Sequence, residues 1–335
     1  MHENENFLRR KAGKKTLRGA KKHDQGQKAK VQRLLAEYAR EWLESERESL
    51  KEASFVKYDN VLTKHIIPLL GDALPAQLND EAAERFTQTL NARGLAPKTV
   101  RDILTVLRSV LKYAASRGCA VPTIIFKAPR EPKRDMRILS ADEQRRLTLY
   151  LTNELDDCKF GILLALLTGM RIGEICALRW GSISLDERTV RVTETMQRLK
   201  NIDGGAQRTH VVIGTPKSES SRRVIPMTDF AAELCRRMGR HAPDAFVLTG
   251  NGHYMEPRVL QYRLEKYTAA CGLKGVHFHT LRHTFATRCV EVGFELKALS
   301  EILGHSTTAV TLERYIHPTL EMKRRDIKKL SDVGL

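Results

Sequence analysis

Residues 277–288 read HFHTLRHTFATR, with three histidines and one arginine in the first seven positions. On a helix, His279, Arg282 and His283 fall at i, i+3 and i+4 and share one face. Zinc is disfavoured because Thr280 stands where H-E-x-x-H peptidases carry glutamate, and because Arg282 places a fixed cation between the imidazoles. The planar guanidinium fork favours a phosphate ligand. A half-buried polar helix face with no further role is the alternative that these residues alone leave open.

The bulk composition narrows the choice. The chain has 335 residues, 41% of them hydrophobic, and a formal net charge of +17. This length predicts two domains. No stretch approaches the roughly 18 apolar residues of a membrane span, and the charged N-terminus lacks the apolar region of a secretory signal, so we expect no membrane partner. The positive charge favours a polyanionic partner, above all nucleic acid, although ribosomal and membrane-surface proteins share it.

The cysteines give no sign of a disulfide framework or a metal site. They form no C-x-x-C pair and show no zinc spacing, which predicts reduced thiols in a cytoplasmic protein. The six positions are Cys119, Cys158, Cys176, Cys235, Cys271 and Cys289.

The first part of the chain predicts a basic arm and then a helical domain. Residues 1–28 hold few apolar residues after Leu8, which is typical of a disordered arm or a solubilising tail. Residues 29–117 show helical apolar spacing in four segments, the second of which we expect to end at Pro68 and Gly71. The polar face of the fourth segment either contacts DNA phosphates or is ordinary solvated surface. Its basic residues are Lys98, Arg101, Arg108 and Lys112.

A proline-rich, charged linker is predicted over 118–137, followed by a second domain over 138–317. Ser140 and Glu143 have the spacing of a capping box at its first helix. Alternation predicts strands over 189–194, 209–214 and 221–227, with the first two joined through the turn residues Asp203, Gly204 and Gly205, and helices fill the rest. Residues 318–335 predict a short amphipathic helix after Pro318, which docks either on a neighbouring subunit or on its own domain.

Six polar residues from separate stretches are of types that are unusual in a hydrophobic core. The same types are well suited to bind and cleave a phosphodiester. Guanidiniums can clamp the non-bridging oxygens and stabilise the charge of a pentacoordinate transition state. A phenol can attack as nucleophile, an imidazole can accept its proton, and an ammonium can protonate the leaving 5′ oxygen. No carboxylate cluster suited to Mg²⁺ accompanies them, so we expect cleavage without a metal or other cofactor. The set is Arg171, Lys217, His279, Arg282, His305 and Tyr315.

The chain resembles the tyrosine recombinases, also called the phage integrase family. The resemblance rests on four motifs in the family's order and spacing, and it covers about residues 29–320. The motifs are TGMRIGE, TPKSESSRRVIP (a hairpin in this interpretation), HTLRHTFATR and LGHSTTAVTLERY. It implies a mainly α protein with a small antiparallel β-sheet. A helical, SAM-like core-binding domain and an α+β catalytic domain would close as a clamp on duplex DNA.

The resemblance also implies roles for the six residues. Tyr315 would form a 3′-phosphotyrosyl link and release a 5′-hydroxyl, with Arg171 and Arg282 on the phosphate. Lys217 would be the general acid and His279 a base-like or transition-state ligand. His305 would donate to the phosphate, and the motif residues Glu174 and His283 would support the others.

At the level of assembly, the resemblance implies four protomers that exchange strands through a Holliday junction without ATP, integrating or excising a mobile element. It leaves open whether an excisionase or a host DNA-bending protein takes part. Residues 1–28 are too short and too basic for the β-rich arm-binding domain of many integrases, which puts arm-site binding in doubt.

Three other functions compete with recombination. A type IB topoisomerase uses similar chemistry, but the compact helical first domain and the LGHS motif favour a recombinase. A catalytically inactive DNA-binding regulator on the same scaffold is disfavoured because the set of six residues is intact. A helical nucleic-acid-binding protein without chemistry would leave that set unexplained.

Overall fold

The computed structural model describes residues 33–129, 136–202, 207–216, 218–239 and 241–315, together with residues 324, 327 and 328. The predicted arm over 1–28 lies outside these ranges, as do Lys217 and nearly all of 318–335. The described chain divides into two compact units. The first holds residues 33–51 and 57–129, and the second holds residues 52–56 and those from 136 onward. Within the described ranges, no helix has the length and apolar character needed to cross a membrane.

Five helices run through the first part of the chain. Helix α5 (Pro97–Ser116) packs against α1 (Leu35–Ser45) and α4 (Asp80–Ala92), and it buries eight residues between Val100 and Ala114. Burial of each large aliphatic side chain contributes about 1.5–3 kcal/mol to the free energy of folding, so the long amphipathic α5 supplies much of the hydrophobic stabilisation of the first unit. The helices are α1 (Leu35–Ser45), α2 (Glu52–Val61), α3 (Ile67–Leu70), α4 (Asp80–Ala92) and α5 (Pro97–Ser116).

The second helical segment ends at Gly71, as predicted, but Pro68 does not end it. A π-helical turn, Leu62–Ile66, follows α2 directly, and Pro68 lies inside the short α3 that continues from it. Pro68 is the second residue of α3 and has no backbone N–H to donate to the preceding turn. The π-helical turn is wider than an α-helical turn, and the helical run continues through it.

The segment that follows α5 packs back onto the same unit. The backbone N–H of Ile125 donates to Asp80 Oδ1 at 2.7 Å. Arg108 donates to the carbonyl of Phe126 at 3.2 Å and lies 5.0 Å above the centre of its ring, while Arg101 donates to the carbonyl of Pro129 at 3.4 Å. Two of the basic side chains on the polar face of α5 therefore hold this segment.

The second unit is built from helices around small sheets. It contains α6 (Ala141–Thr152), α7 (Asp157–Thr168), α8 (Ile172–Ala177), α9 (Asp229–Arg237), α10 (Pro257–Ala270), α11 (Phe278–Glu291), α12 (Leu296–Leu303) and α13 (Thr308–Tyr315). Its strands are β1 (Ile183–Ser184), β2 (Thr189–Val192), β3 (Thr195–Lys200), β4 (Thr209–Gly214) and β5 (Arg223–Pro226). Few strands among many helices confirm the prediction of a mainly α protein with a small antiparallel β component.

The strand pairing differs from the prediction in one respect. Among the described residues the strands form two antiparallel sheets, one in the order β1-β2-β5 and one of β3 with β4. The partner of β4 is therefore β3, which the sequence analysis missed, and not β2. The segment between β4 and β5 is consequently no hairpin, because it joins two different sheets. Strand β3 was missed because Met196 and Leu199 are buried with two exposed residues between them, which breaks the period of two.

Helix α7 lies at the centre of the second unit and is buried on nearly all sides, with α11 packed along it. The capping box predicted for α6 is present, since Ser140 and Glu143 exchange both hydrogen bonds. Helix α7 ends at Gly169, whose φ of 66° is the left-handed conformation that glycine adopts readily. A Cβ atom at Gly169 would lie 2.6 Å from the ring of Phe285 on α11, so a side chain there would require that ring to move.

Candidate active site

The first residue of the site is placed by the turn that ends α7. Gly169 and Met170 reverse the chain, and Arg171 becomes the N-cap of α8 with its side chain half-buried. Its backbone N–H donates to Glu174 Oε2 at 2.9 Å and its guanidinium donates to Glu174 Oε1 at 2.7 Å. One carboxylate thus fixes both the backbone and the side chain of Arg171.

Glu174 is held from its other side by an arginine that the sequence analysis did not single out. Arg223 on β5 has only 5% of its side chain exposed and donates to both carboxylate oxygens of Glu174, at 2.8 and 3.0 Å. Burial by itself would raise the pKa of Glu174, but the hydrogen bonds and charge of Arg223, joined by the charge of Arg171, outweigh it and lower this pKa. Glu174 therefore stays ionised in the interior.

Arg282 on α11 is buried, with 4% of its surface exposed. It donates to the carbonyl of Gly169 at 2.7 Å and to the carbonyl of Leu303 at 2.5 Å. Burial, and then repulsion from Arg171, lowers its pKa to about 9, which leaves the guanidinium charged at neutral pH. Such a cation, held by neutral carbonyls, retains a strong attraction for an incoming anion.

The C-terminal end of α12 anchors all three guanidiniums. The carbonyls of Ile302, Leu303 and Gly304 accept from Arg223, Arg282 and Arg171 respectively. The last carbonyls of a helix have no partner within the helix and carry the negative end of its dipole, so cations are stabilised there. We call Arg171, Glu174, Arg223 and Arg282 the arginine cluster.

The second half of the site surrounds Tyr315, the last residue of α13, which is 6% exposed. His283 Nδ1 lies 2.8 Å from the Tyr315 hydroxyl oxygen. The ring of His305 stacks nearly parallel to the phenol, at 4° and 6.2 Å between ring centres, and its Nδ1 lies 2.7 Å from the hydroxyl oxygen of the buried Thr311. We call His283, His305, Thr311 and Tyr315 the tyrosine cluster.

The two clusters share their supporting residues. His283 is the sequence neighbour of Arg282, and Tyr315 packs in the same buried apolar group as Leu303, whose carbonyl holds Arg282. The phenol lies close enough to the buried guanidinium that its ionisation would raise the pKa of Arg282.

The remaining predicted residues lie outside these two clusters. His279 is exposed one turn before His283 on α11, with 6.2 Å between the two ring centres. Lys217 lies outside the described residues; its neighbours Pro216 and Ser218 are buried and exposed, respectively. Within the described ranges, no group of three or more His, Cys, Asp or Glu side chains could hold a metal ion. The basic residues of α5, Lys98, Arg101, Arg108 and Lys112, are exposed in the first unit.

A sequence signal for Arg223 existed in β5. Ile225 and Met227 are buried while Val224 and Pro226 are exposed, so the period of two places Arg223 on the buried face and Arg222 on the exposed one. A charged residue on the buried face of a strand calls for a partner of opposite charge. What the sequence could not tell is that this partner is Glu174.

Most of the chain matches one family of known proteins. Residues 137–322 match the phage integrase family, and residues 34–73 match its N-terminal SAM-like domain. A XerC-like tyrosine recombinase of Caldanaerobacter subterraneus subsp. tengcongensis is 26% identical in an alignment that covers 87% of this chain and 81% of that protein. Tyrosine recombinase XerC of Xanthomonas campestris pv. campestris is 30% identical over 72% of this chain and 70% of its own length.

Solved structures of integrases bound to DNA share this fold. The Tn1549 transposon integrase with transposon right end DNA superposes with a TM-score of 0.72 at 21% identity, covering 89% of this chain and 99% of that one. A lambda integrase tetramer bound to a Holliday junction gives 0.62 at 16% identity, covering 86% and 78%. With the family matched over more than half of its length, the chain belongs to the phage integrase family and is a tyrosine site-specific recombinase, an enzyme that breaks and rejoins DNA.

Proposed function

We propose that Tyr315 is the nucleophile of this recombinase and that the arginine cluster holds the phosphate it attacks. The phenolic oxygen bonds to phosphorus, the bond to the 5′ oxygen breaks, and a 3′-phosphotyrosyl link remains. The observation that carries the proposal is the Tyr315 hydroxyl bound by His283 at 2.8 Å, next to the buried Arg282. A nucleophile and cations on adjoining residues are what in-line phosphoryl transfer requires.

Each of the other residues has a proposed part. Arg171 and Arg282 bind the non-bridging oxygens, and His279, exposed on the same helix, contacts the phosphate in the transition state. Thr311 fixes the ring of His305 through Nδ1, so that Nε2 at the opposite edge of the ring can donate to the phosphate. Lys217 protonates the leaving 5′ oxygen, a part that rests on its position in the motif TPKSESSRRVIP.

The proposal extends to the assembly. The chain integrates or excises a mobile element as a tetramer on DNA, exchanging strands in pairs through a Holliday junction. The first unit, with the exposed basic face of α5, binds the core of the site together with the second. Residues 318–335, which lie outside the described ranges except at three positions, couple neighbouring protomers. The fold shared with the Tn1549 and lambda integrases supports this extension.

The test is covalent capture of DNA. Nicked duplexes from a random-sequence library are incubated with the wild-type chain, and those that become attached to protein in SDS are recovered, sequenced and resynthesised as the substrate. We expect Tyr315→Phe to bind this substrate and to form no adduct, because the ring still packs while the attacking oxygen is gone. An adduct formed by Tyr315→Phe, or the absence of any adduct with wild type, would overturn the proposal.

A further inference from the structure

The hydroxyl of Tyr315 is met by a specific nitrogen atom. His283 Nδ1 lies 2.8 Å from the phenolic oxygen, inside the range of about 2.6–3.2 Å that direct proton transfer requires. The two rings are tilted by 52°, with 5.5 Å between their centres, so the histidine approaches with its edge toward the oxygen. With its own proton on Nε2, the imidazole accepts the hydrogen bond that the phenol donates.

The position of His283 is fixed by a rigid element. It belongs to the middle of α11, directly after Arg282, whose guanidinium is locked between the carbonyls of Gly169 and Leu303. Negative charge that develops on the phenolic oxygen arises beside the Arg282 cation.

The imidazoles of His305 and His279 lie in different surroundings from that of His283. His305 presents its ring face to the phenol, and its Nδ1 is bound to Thr311. His279 is exposed on α11, whereas His283 is half-buried. The resemblance to the family assigned the base-like part to His279, and the geometry points elsewhere.

We propose that His283 is the proton acceptor for Tyr315, and that His279 acts on the phosphate. The inference rests on the proposed function of Tyr315. As the bond from the phenolic oxygen to phosphorus forms, the phenolic proton moves to His283 Nδ1 and gives an imidazolium ion. The bond from phosphorus to the 5′ oxygen breaks, and Lys217 supplies the proton to that oxygen. In rejoining, the imidazolium returns its proton to the departing phenol.

This assignment separates two reactions of the same site. Forming the phosphotyrosyl bond needs the proton acceptor. Joining a 5′-hydroxyl strand to a strand that ends in 3′-p-nitrophenyl phosphate does not, because the 5′-hydroxyl gives its proton to the neutral amine of Lys217, the reverse of the cleavage step, while p-nitrophenolate leaves without a proton and Tyr315 takes no part. Both reactions need the phosphate to be held. The ratio of the rate of adduct formation to the rate of joining therefore reports proton transfer from Tyr315.

The experiment measures both rates, at one pH and with saturating protein, on the duplex selected by covalent capture. The variants are His283→Ala and His283→Asn, with His279→Ala as the matched control on the same helix. Asparagine can accept a hydrogen bond from the phenol but cannot take its proton. We expect both His283 variants to lose adduct formation by about 10²–10⁴-fold, the usual contribution of general base catalysis, while joining the p-nitrophenyl substrate at close to the wild-type rate. The His279 variant should slow both reactions.

Several outcomes would overturn the inference. If His283→Asn forms the adduct at the wild-type rate, the histidine only orients the phenol. Equal losses in both reactions for the His283 variants would mean that the residue holds the site together. A selective loss of adduct formation in His279→Ala would assign the base to His279. Failure of the proposed function looks different, since Tyr315→Phe would then form an adduct, or wild type would form none.

Discussion

The two halves of the site are held by different kinds of contact. In the arginine cluster, guanidiniums bind backbone carbonyls at helix ends and one buried carboxylate, and Glu174 and Arg282 are almost wholly enclosed. In the tyrosine cluster, side chains contact one another through two hydrogen bonds and a stacked ring pair. The first is part of the framework of the second unit, so we expect its residues to serve stability as well as the proposed chemistry. We expect the second to serve that chemistry with less effect on folding.

The strongest test of this contrast is Arg223→Met in the arginine cluster. It leaves Glu174 buried without its main partner, and breaking a buried ion pair on one side costs about 3–5 kcal/mol. We expect the free energy of unfolding of the second unit to fall by that amount in a urea titration. The double variant Arg223→Met with Glu174→Met should recover most of the loss, because the unpaired charge is gone. If the single variant unfolds like wild type, the ion pair is not part of the framework.

The next effect belongs to Arg282→Lys, which keeps the charge and loses the fork. A single ammonium cannot reproduce the two hydrogen bonds to Gly169 and Leu303 while also meeting a phosphate. We expect the single-turnover rate of adduct formation to fall about 10²–10³-fold, the usual effect of removing one preorganised donor. Circular dichroism and binding to the selected duplex provide the controls. A variant as fast as wild type would show that charge alone suffices at this position.

The smallest effect is expected in the tyrosine cluster, from Thr311→Val. The substitution keeps the buried shape and removes the hydroxyl bound to His305 Nδ1, a hydrogen bond worth about 1 kcal/mol. The free energy of unfolding should change little, while the rate of adduct formation should fall by a factor of about 5–10 as His305 loses its orientation. A fall in stability as large as that of Arg223→Met would erase the distinction between the two clusters.

Much of this molecule could be predicted because its signals are local. The start of α6 follows from capping residues three positions apart, Ser140 with Glu143. The long stripe of α5 follows from apolar spacing. The predictions failed where the pattern was broken or ambiguous, as in β3 with its irregular burial and in the helical segment that runs through Pro68.

The sequence by itself determined which chemical groups the site contains, since Arg171, Arg282, His305 and Tyr315 stand in motifs whose residue types already indicate phosphoryl transfer. Only the tertiary structure decided how they are held. Arg171 reaches Gly304 across 133 positions, Arg282 reaches Gly169 across 113, and Arg223 reaches Ile302 across 79. The acceptors are backbone carbonyls that every residue possesses, left without partners because helices end there. No residue type marks them, so the guanidinium that each one receives is settled only when the helices and strands pack together.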